Sequence, residues 1–281
     1  MNVNTFNLFF SLSNQSIIWP SICVIVLGIL SLKIKIVTWK GMIGGLFIGL
    51  TAAITSGWSV LLPMIFFHLT AGIATKVGYS RKKKIGEAQP SEGARGARQV
   101  LANGIVPAIA SLIAMVASNP HFLFIAWGAT AMKCADTLGS EIGMLSSNTR
   151  LIIKPWKRIN PGEPGGITFL GTAASMIGAL ASAIISFIVA PFQSFVFSFV
   201  IAIFLGGFIG TFFDSLLGYF AEEKFVCSSC NLITHHKKHC GIPGKHSSGI
   251  PGFTNNMVNL ISSLIAGIFT LPLYYLLEVL I

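Results

Sequence analysis

Eight apolar stretches, each long enough to reach most or all of the way across a lipid bilayer, leave this chain few architectures. They run over residues 17–33, 39–56, 58–75, 99–117, 121–146, 166–190, 194–219 and 256–277. A helix needs about 20 mainly apolar residues to span the hydrocarbon layer, and only helices or closed barrels satisfy their backbone there. Charged residues make up 10% of the chain and apolar ones 53%, a balance that argues against a soluble globular domain. The expectation is an all-α, polytopic membrane bundle of about eight spans forming one domain over 1–281, with 39–56 and 58–75 short enough to be tilted or partly re-entrant.

Orientation follows from Lys and Arg, which accumulate in cytoplasmic loops. Under an eight-span topology every basic residue except Lys133 falls on one side: Lys33, Lys35 and Lys40; Lys76, Arg81 to Lys84, Arg95 and Arg98; Arg150, Lys154, Lys157 and Arg158; Lys224, Lys237, Lys238 and Lys245. Loops 76–98, 147–165 and 220–255 are then cytoplasmic, and both termini face outward. The opposite tips near Gly57, Asn119 and Pro191 to Gln193 carry no basic residue. The formal charge of +10 reads as positive-inside bias plus attraction to lipid headgroups or phosphates, with nucleic acid a poor alternative. Met1 to Ser16 lacks the basic segment of a cleavable signal, so the first span is expected to remain as an anchor.

Carboxylates are scarce, and three occupy apolar surroundings, two in "CADTLGSEIG" (Cys134 to Gly143) and one in "FFDSLLG" (Phe212 to Gly218). An Asp followed by a hydroxyl residue and Leu thus recurs on two helices that run the same way, a hint of parallel repetition of a two-helix unit. That arrangement brings Asp136 and Asp214 to similar depth. An ionisable group at the membrane centre costs about 2.5–3.5 kcal/mol on insertion scales, so it faces a partner, a cavity or a metal. Lys133, three residues before Asp136 and eight before Glu141, lies within reach of one helical face with both. The plain alternative is mutual neutralisation of Lys133 and Asp136. Two Asp at one depth beneath a basic face favour Mg²⁺, a hard cation that keeps waters and bridges to phosphates. Gly139 and Gly143, Gly206 and Gly210, and Gly171 with Ala174 and Gly178 have the small-residue spacing that lets helices approach closely.

The loops supply complementary groups. Arg95 and Arg98 flank the start of a span, with Gln99 and Asn103 further along it; they are either anion ligands at a helix N-terminus or snorkelling interfacial arginines. Gly165 and Gly166 open another helix where a backbone can approach a ligand closely, and Asn255, Asn256 and Asn259 begin the last span as caps or ligands. In "CSSCNLITHHKKHC", Cys227, Cys230, His239 and Cys240 offer a tetrahedral Cys3His set for structural Zn²⁺, with His235 and His236 as substitute ligands; unligated loop thiols are the equal alternative.

The segments "GARQVLANG", "ADTLGSEIG", "PGEPGGITFLGT", "DSLLG", "C-x-x-C…HC" and "TNNMVNLISS", in this order over about residues 38–275, resemble the transmembrane protein 19-like family of integral membrane proteins. The resemblance implies an isoprenoid-phosphate phosphotransferase similar to the family's phytyl-phosphate kinase. Such an enzyme takes a lipid substrate with a phosphate head and CTP or another nucleoside triphosphate. On that pattern Arg95, Gln99, Asn103, Asp136, Glu141, Gly165, Gly166, Asp214, Asn255, Asn256 and Asn259 are site residues, Arg95, Arg98 or Lys133 would stabilise the transferring group, and Glu141 would order a metal-bound water. The family pattern leads one to expect an acid in the Asn255-Asn256 pair, which weakens a metal role for Asn256. A different class, a transporter or flippase of a lipid phosphate or ion, needs a site near the midplane open to both sides.

Overall fold

The computed structural model describes residues 17–89, 91–191 and 196–280. The readings of Met1 to Ser16 and of most of the 191–193 tip lie outside them. Eight long helices occupy the eight apolar stretches: α1 Ile18–Lys33, α2 Trp39–Ser56, α3 Trp58–Lys76, α5 Ala97–Val116, α6 Leu123–Gly143, α7 Phe169–Ile188, α8 Val196–Phe220 and α9 Asn255–Leu280. A short helix, α4 Tyr79–Lys84, follows α3. Among the described residues, α3, α5, α7, α8 and α9 are each long and apolar enough to cross a membrane by length and composition. Large apolar side chains such as Phe47, Phe169, Ile177 and Leu280 cover the outside, as lipid requires.

Helix α6 is the axis of the bundle, touching α3, α5, α7, α8 and α9, and residues 131–135 along it are all buried. Near its start Phe124 and Trp127 pack with Phe199 and Tyr274; Phe124 stacks on Tyr274 at 4.0 Å, and the Trp127 indole donates to the Ser59 carbonyl at 2.8 Å. Asp136 lies nine residues further along, about 13 Å away at 1.5 Å per residue. The aromatic core therefore fills one part of the bundle and leaves the polar residues nearer the other end.

Close approach depends on the small residues. Gly139 and Gly143 of α6 face Gly171 of α7: a Cβ at Gly171 would fall 2.7 Å from the Gly139 carbonyl oxygen, a backbone atom that cannot rotate away. In lipid this contact relies on packing and not on apolar transfer. Gly171→Val is expected to destabilise the detergent-solubilised protein by about 1–3 kcal/mol, the usual effect of overpacking. Ile177→Val, on the exposed face of the same helix, should change its denaturant midpoint little.

Short strands organise the loops, which the all-α expectation did not foresee. β1 Thr149–Leu151 is the centre of a sheet with β2 Lys154–Ile159 and β3 Gly166–Ile167, in antiparallel register Arg150↔Arg158 and Arg150↔Ile167. Helix α7 thus begins at Phe169, after the strand that holds Gly166, with the Thr168 hydroxyl accepting from the Gly171 amide at 2.9 Å. A second sheet has the order β5 Ile233–Thr234, β4 Lys224–Val226, β8 Lys245–Ser248, and β6 Lys238–His239 pairs with β7 Ile242–Pro243. These strands are too short and too polar to show apolar alternation, so no periodicity announced them.

Candidate functional site

Asp136 on α6 and Asp214 on α8 line one cavity of about 220 Å³, together with Gly165, Gly166 and Thr168 ahead of α7, Asn255 at the start of α9, and Glu87, His235 and His236 from the loops. Six of the nine acidic residues of the chain, Glu87, Asp136, Glu141, Glu163, Asp214 and Glu222, belong to its lining, in a protein whose net charge is +10. Among the described residues lining it, none is Lys or Arg. This is the polarity of a cation site.

The basic groups stand behind the acids. Lys133, fully buried, donates to Asp136 at 3.1 Å and to the Asn259 side-chain oxygen at 2.6 Å, and Asn259 in turn donates to Asn255 at 3.0 Å. The sequence reading of a Lys133–Asp136 pair is thus met. Glu141 is different: its partner is Lys82, at 2.6 Å and 1% exposed, with the Thr75 hydroxyl at 2.8 Å from its other oxygen. Sequence had counted Lys82 only as a loop cation, because nothing in "SRKKK" shows which lysine turns inward.

Two carboxylate oxygens remain without any hydrogen-bond partner though buried, one on Asp214 and one on Glu222. Burial, then the neighbouring Asp214 charge, pushes the Glu222 carboxyl up to about 8. Buried oxygens left bare beside other carboxylates carry a desolvation penalty that a divalent cation relieves, so the facing pair Asp136 and Asp214 suits a hard cation such as Mg²⁺, with Glu222 elsewhere in the same cavity lining. Glu222 was missed by sequence reasoning. It stands in the turn just after α8 ends at Phe220, where no helical phase relates it to Asp214.

Other sequence-predicted residues are divided. Arg95 is buried and fixed by backbone pairing, its amide donating to the Ile36 carbonyl at 2.9 Å and its carbonyl accepting from the Thr38 amide at 3.0 Å. Its guanidinium donates to the Thr75 hydroxyl at 3.2 Å, one step from Glu141, and burial lowers its pKa from the usual arginine value. Arg95 and Asn103 line a second, mainly apolar cavity of about 110 Å³ between α1, α2, α3 and α5. Arg98 is exposed, and neither it nor Gln99 nor Asn256 lines either cavity. Arg95, just ahead of α5, and Arg98, Gln99 and Asn103 on it are thus outside the lining of the aspartate cavity. Gly165 adopts φ +83°, where a Cβ would lie 2.8 Å from the Tyr219 side chain.

The Cys3His set is assembled. Cys230 and Cys240 sulfurs are 3.8 Å apart, and the His239 Nδ1 is 3.4 and 3.3 Å from them. Tetrahedral coordination with metal–sulfur bonds of about 2.3 Å has edges of about 3.8 Å, so the donors fit Zn²⁺. The Cys227 sulfur completes a group whose ligand atoms all lie within 4.8 Å of one another. The Cys230 amide, opposed by burial, helps lower the Cys227 thiol to about 6, while crowding by Cys230 raises Cys240 to about 11. Thiolates so close repel one another unless a cation lies between them.

A family model described as integral membrane protein DUF92 matches residues 22–267. The chain belongs to the DUF92 family of integral membrane proteins. Relatives within reach of comparison include the uncharacterized membrane protein MJ0933 of Methanocaldococcus jannaschii, 26% identical over 225 residues, covering 78% of this chain and 91% of that one. Protein PGR of Arabidopsis thaliana is 28% identical over 268 residues, covering 85% of this chain and 90% of its own. No solved structure matches. The DUF92 match encloses both aspartates, Glu222 and the cysteine cluster.

Proposed function

We propose that this DUF92 protein is a membrane phosphotransferase that converts an isoprenoid monophosphate to the diphosphate with a nucleoside triphosphate. The observation that carries the reading is that Asp136, Asp214 and Glu222 line one cavity rich in carboxylates, with a bare buried oxygen on each of the last two. Phosphoryl transfer asks a protein chiefly for positioning and charge neutralisation. Mg²⁺ held by Asp136 and Asp214 would supply that neutralisation, which the acids alone would oppose.

The chain's own residues do the rest. A monophosphate oxygen of the lipid attacks the terminal phosphorus of the donor, the bond from that phosphorus to the donor's bridging oxygen breaks, and the nucleoside diphosphate leaves with the electron pair. The acceptor is largely ionised near neutral pH, so no strong general base is needed. Amides at the start of α7, beside Gly166 and Thr168, orient phosphate oxygens. Phe208 and Phe212 line the same cavity and receive the first part of the apolar tail. Lys133 positions Asp136, and the Lys82–Glu141 pair holds α4 against α6 behind the site. The charge pattern orients this face to the cytoplasm. The cavity's loop residues set it at one end of the bundle, which favours an enzyme over a transporter needing a central site. Purified protein given Mg²⁺, a panel of nucleoside triphosphates and labelled prenyl monophosphates tests the reading; absence of diphosphate with every pair would overturn it.

Zn²⁺ at Cys227, Cys230, His239 and Cys240 is proposed as a structural staple. The His239 ring edge sits against Gly86, where φ is +79° and a Cβ would fall 1.9 Å from Nε2. The cluster thereby docks the 220–255 loop on the segment after α4. Cys230→Ser is expected to remove one zinc per chain by metal analysis and to expose the 220–255 loop to proteolysis while leaving the bundle helical by circular dichroism.

A further inference from the structure

Between the zinc-knuckle ligands Cys230 and His239, the loop carries two adjacent histidines that the phosphotransfer reading leaves unused. His236 Nε2 and His235 Nδ1 converge on one oxygen of Glu87, at 3.5 and 3.9 Å. The imidazole centroids are 4.0 Å apart, and all three ligand atoms lie within 4.8 Å of one another. The other Glu87 oxygen accepts from the buried Thr234 hydroxyl at 2.9 Å, and the His236 amide donates to that same hydroxyl oxygen at 3.2 Å. Thr234 therefore aims both the carboxylate and the histidine segment, the outer-sphere support that ligand sets require. Thr234 is itself pinned by its pairing with Phe225 in the β4–β5 ladder.

We propose that Glu87, His235 and His236 form a second, open divalent-cation site in the wall of the acidic cavity. Three protein ligands on one side, with the remaining positions turned to a cavity, is the arrangement of reactive rather than structural metal centres. Bonds of about 2.1 Å give ligand–ligand edges of about 3.0–3.4 Å, so the Glu87–histidine separations of 3.5 and 3.9 Å shorten by about 0.1–0.9 Å on binding. Two imidazoles select a borderline cation such as Zn²⁺ over Mg²⁺. The open positions would take an anionic oxygen entering the cavity, such as a phosphate. The site differs from the aspartate site in both donors and preferred ion.

The test needs no turnover, so it stands whether or not phosphotransfer is found. Full-length protein in detergent is stripped with chelator, equilibrated with Zn²⁺, desalted and analysed for metal. Wild type is expected to hold two zinc ions per chain, and both Glu87→Gln and His235→Ala/His236→Ala to hold one. Cobalt added after the knuckle is filled with zinc should give visible absorption without sulfur charge-transfer bands, lost in both variants and kept in Asp136→Asn/Asp214→Asn. A single zinc in the wild type, or a second zinc and cobalt spectrum unchanged in the two site variants, would overturn the proposal and leave these groups an ion pair.

Discussion

Asp214→Asn is expected to lower kcat/KM for prenyl-phosphate phosphorylation by about 10²–10³-fold, the scale on which a lost electrostatic group at a transferring centre is felt. Asp136→Asn should act alike. Asn keeps the size of the side chain but is a poorer ligand for a hard cation, so the Mg²⁺ concentration for half-maximal rate should rise as well. Stability should move the other way. Asp214 faces Asp136 with a buried, unpartnered oxygen, and removing one of two neighbouring carboxylates relieves that repulsion. A variant that loses rate while its thermal midpoint holds or rises marks a residue kept for function; loss of both together marks one kept for packing. Rates and Mg²⁺ dependence unchanged in either variant would remove that aspartate from the site.

What made the aspartates legible was their cost. A carboxylate in an apolar run needs a reason, and the long apolar helices that carry it could be located from apolar length alone. Lys133 with Asp136 was readable because three residues separate them on one helix. Partners joined through tertiary structure were not readable: Lys82 meets Glu141 across 59 residues and Thr234 meets Glu87 across 147. A basic face suggested that arginines hold phosphate, but Arg98 faces outward and Arg95 is locked to Ile36 and Thr38 behind Thr75. Helical phase decides such matters, and at a helix start one residue of error turns a side chain by about 100°. The cysteine cluster lay between these extremes, since C-x-x-C fixes two ligands locally while the turn that returns His239 and Cys240 is tertiary.

Lys82→Met is expected to destabilise the protein by about 3–5 kcal/mol, because it leaves the Glu141 charge buried without its partner. Lys82 is 1% exposed and holds Glu141 at 2.6 Å while also donating to the Ala74 carbonyl at 2.9 Å, so α4, the end of α3 and α6 are joined at one ammonium group. Arg95 makes no hydrogen bond to Glu141 directly, being linked to it through the Thr75 hydroxyl. The double variant Lys82→Met/Glu141→Leu removes both charges and should recover most of the loss, as replacement of a buried pair by apolar groups generally does. That recovery separates two roles for Glu141. If the double variant folds and retains turnover, the pair is a strut. If it folds with a normal denaturant midpoint and has lost turnover, Glu141 takes part in the chemistry, ordering water at the cation as its place in the cavity wall allows. Denaturant unfolding in detergent beside initial-rate assays of the same preparations decides between them, and a fully stable Lys82→Met would show that the ion pair does not join α4 to the bundle.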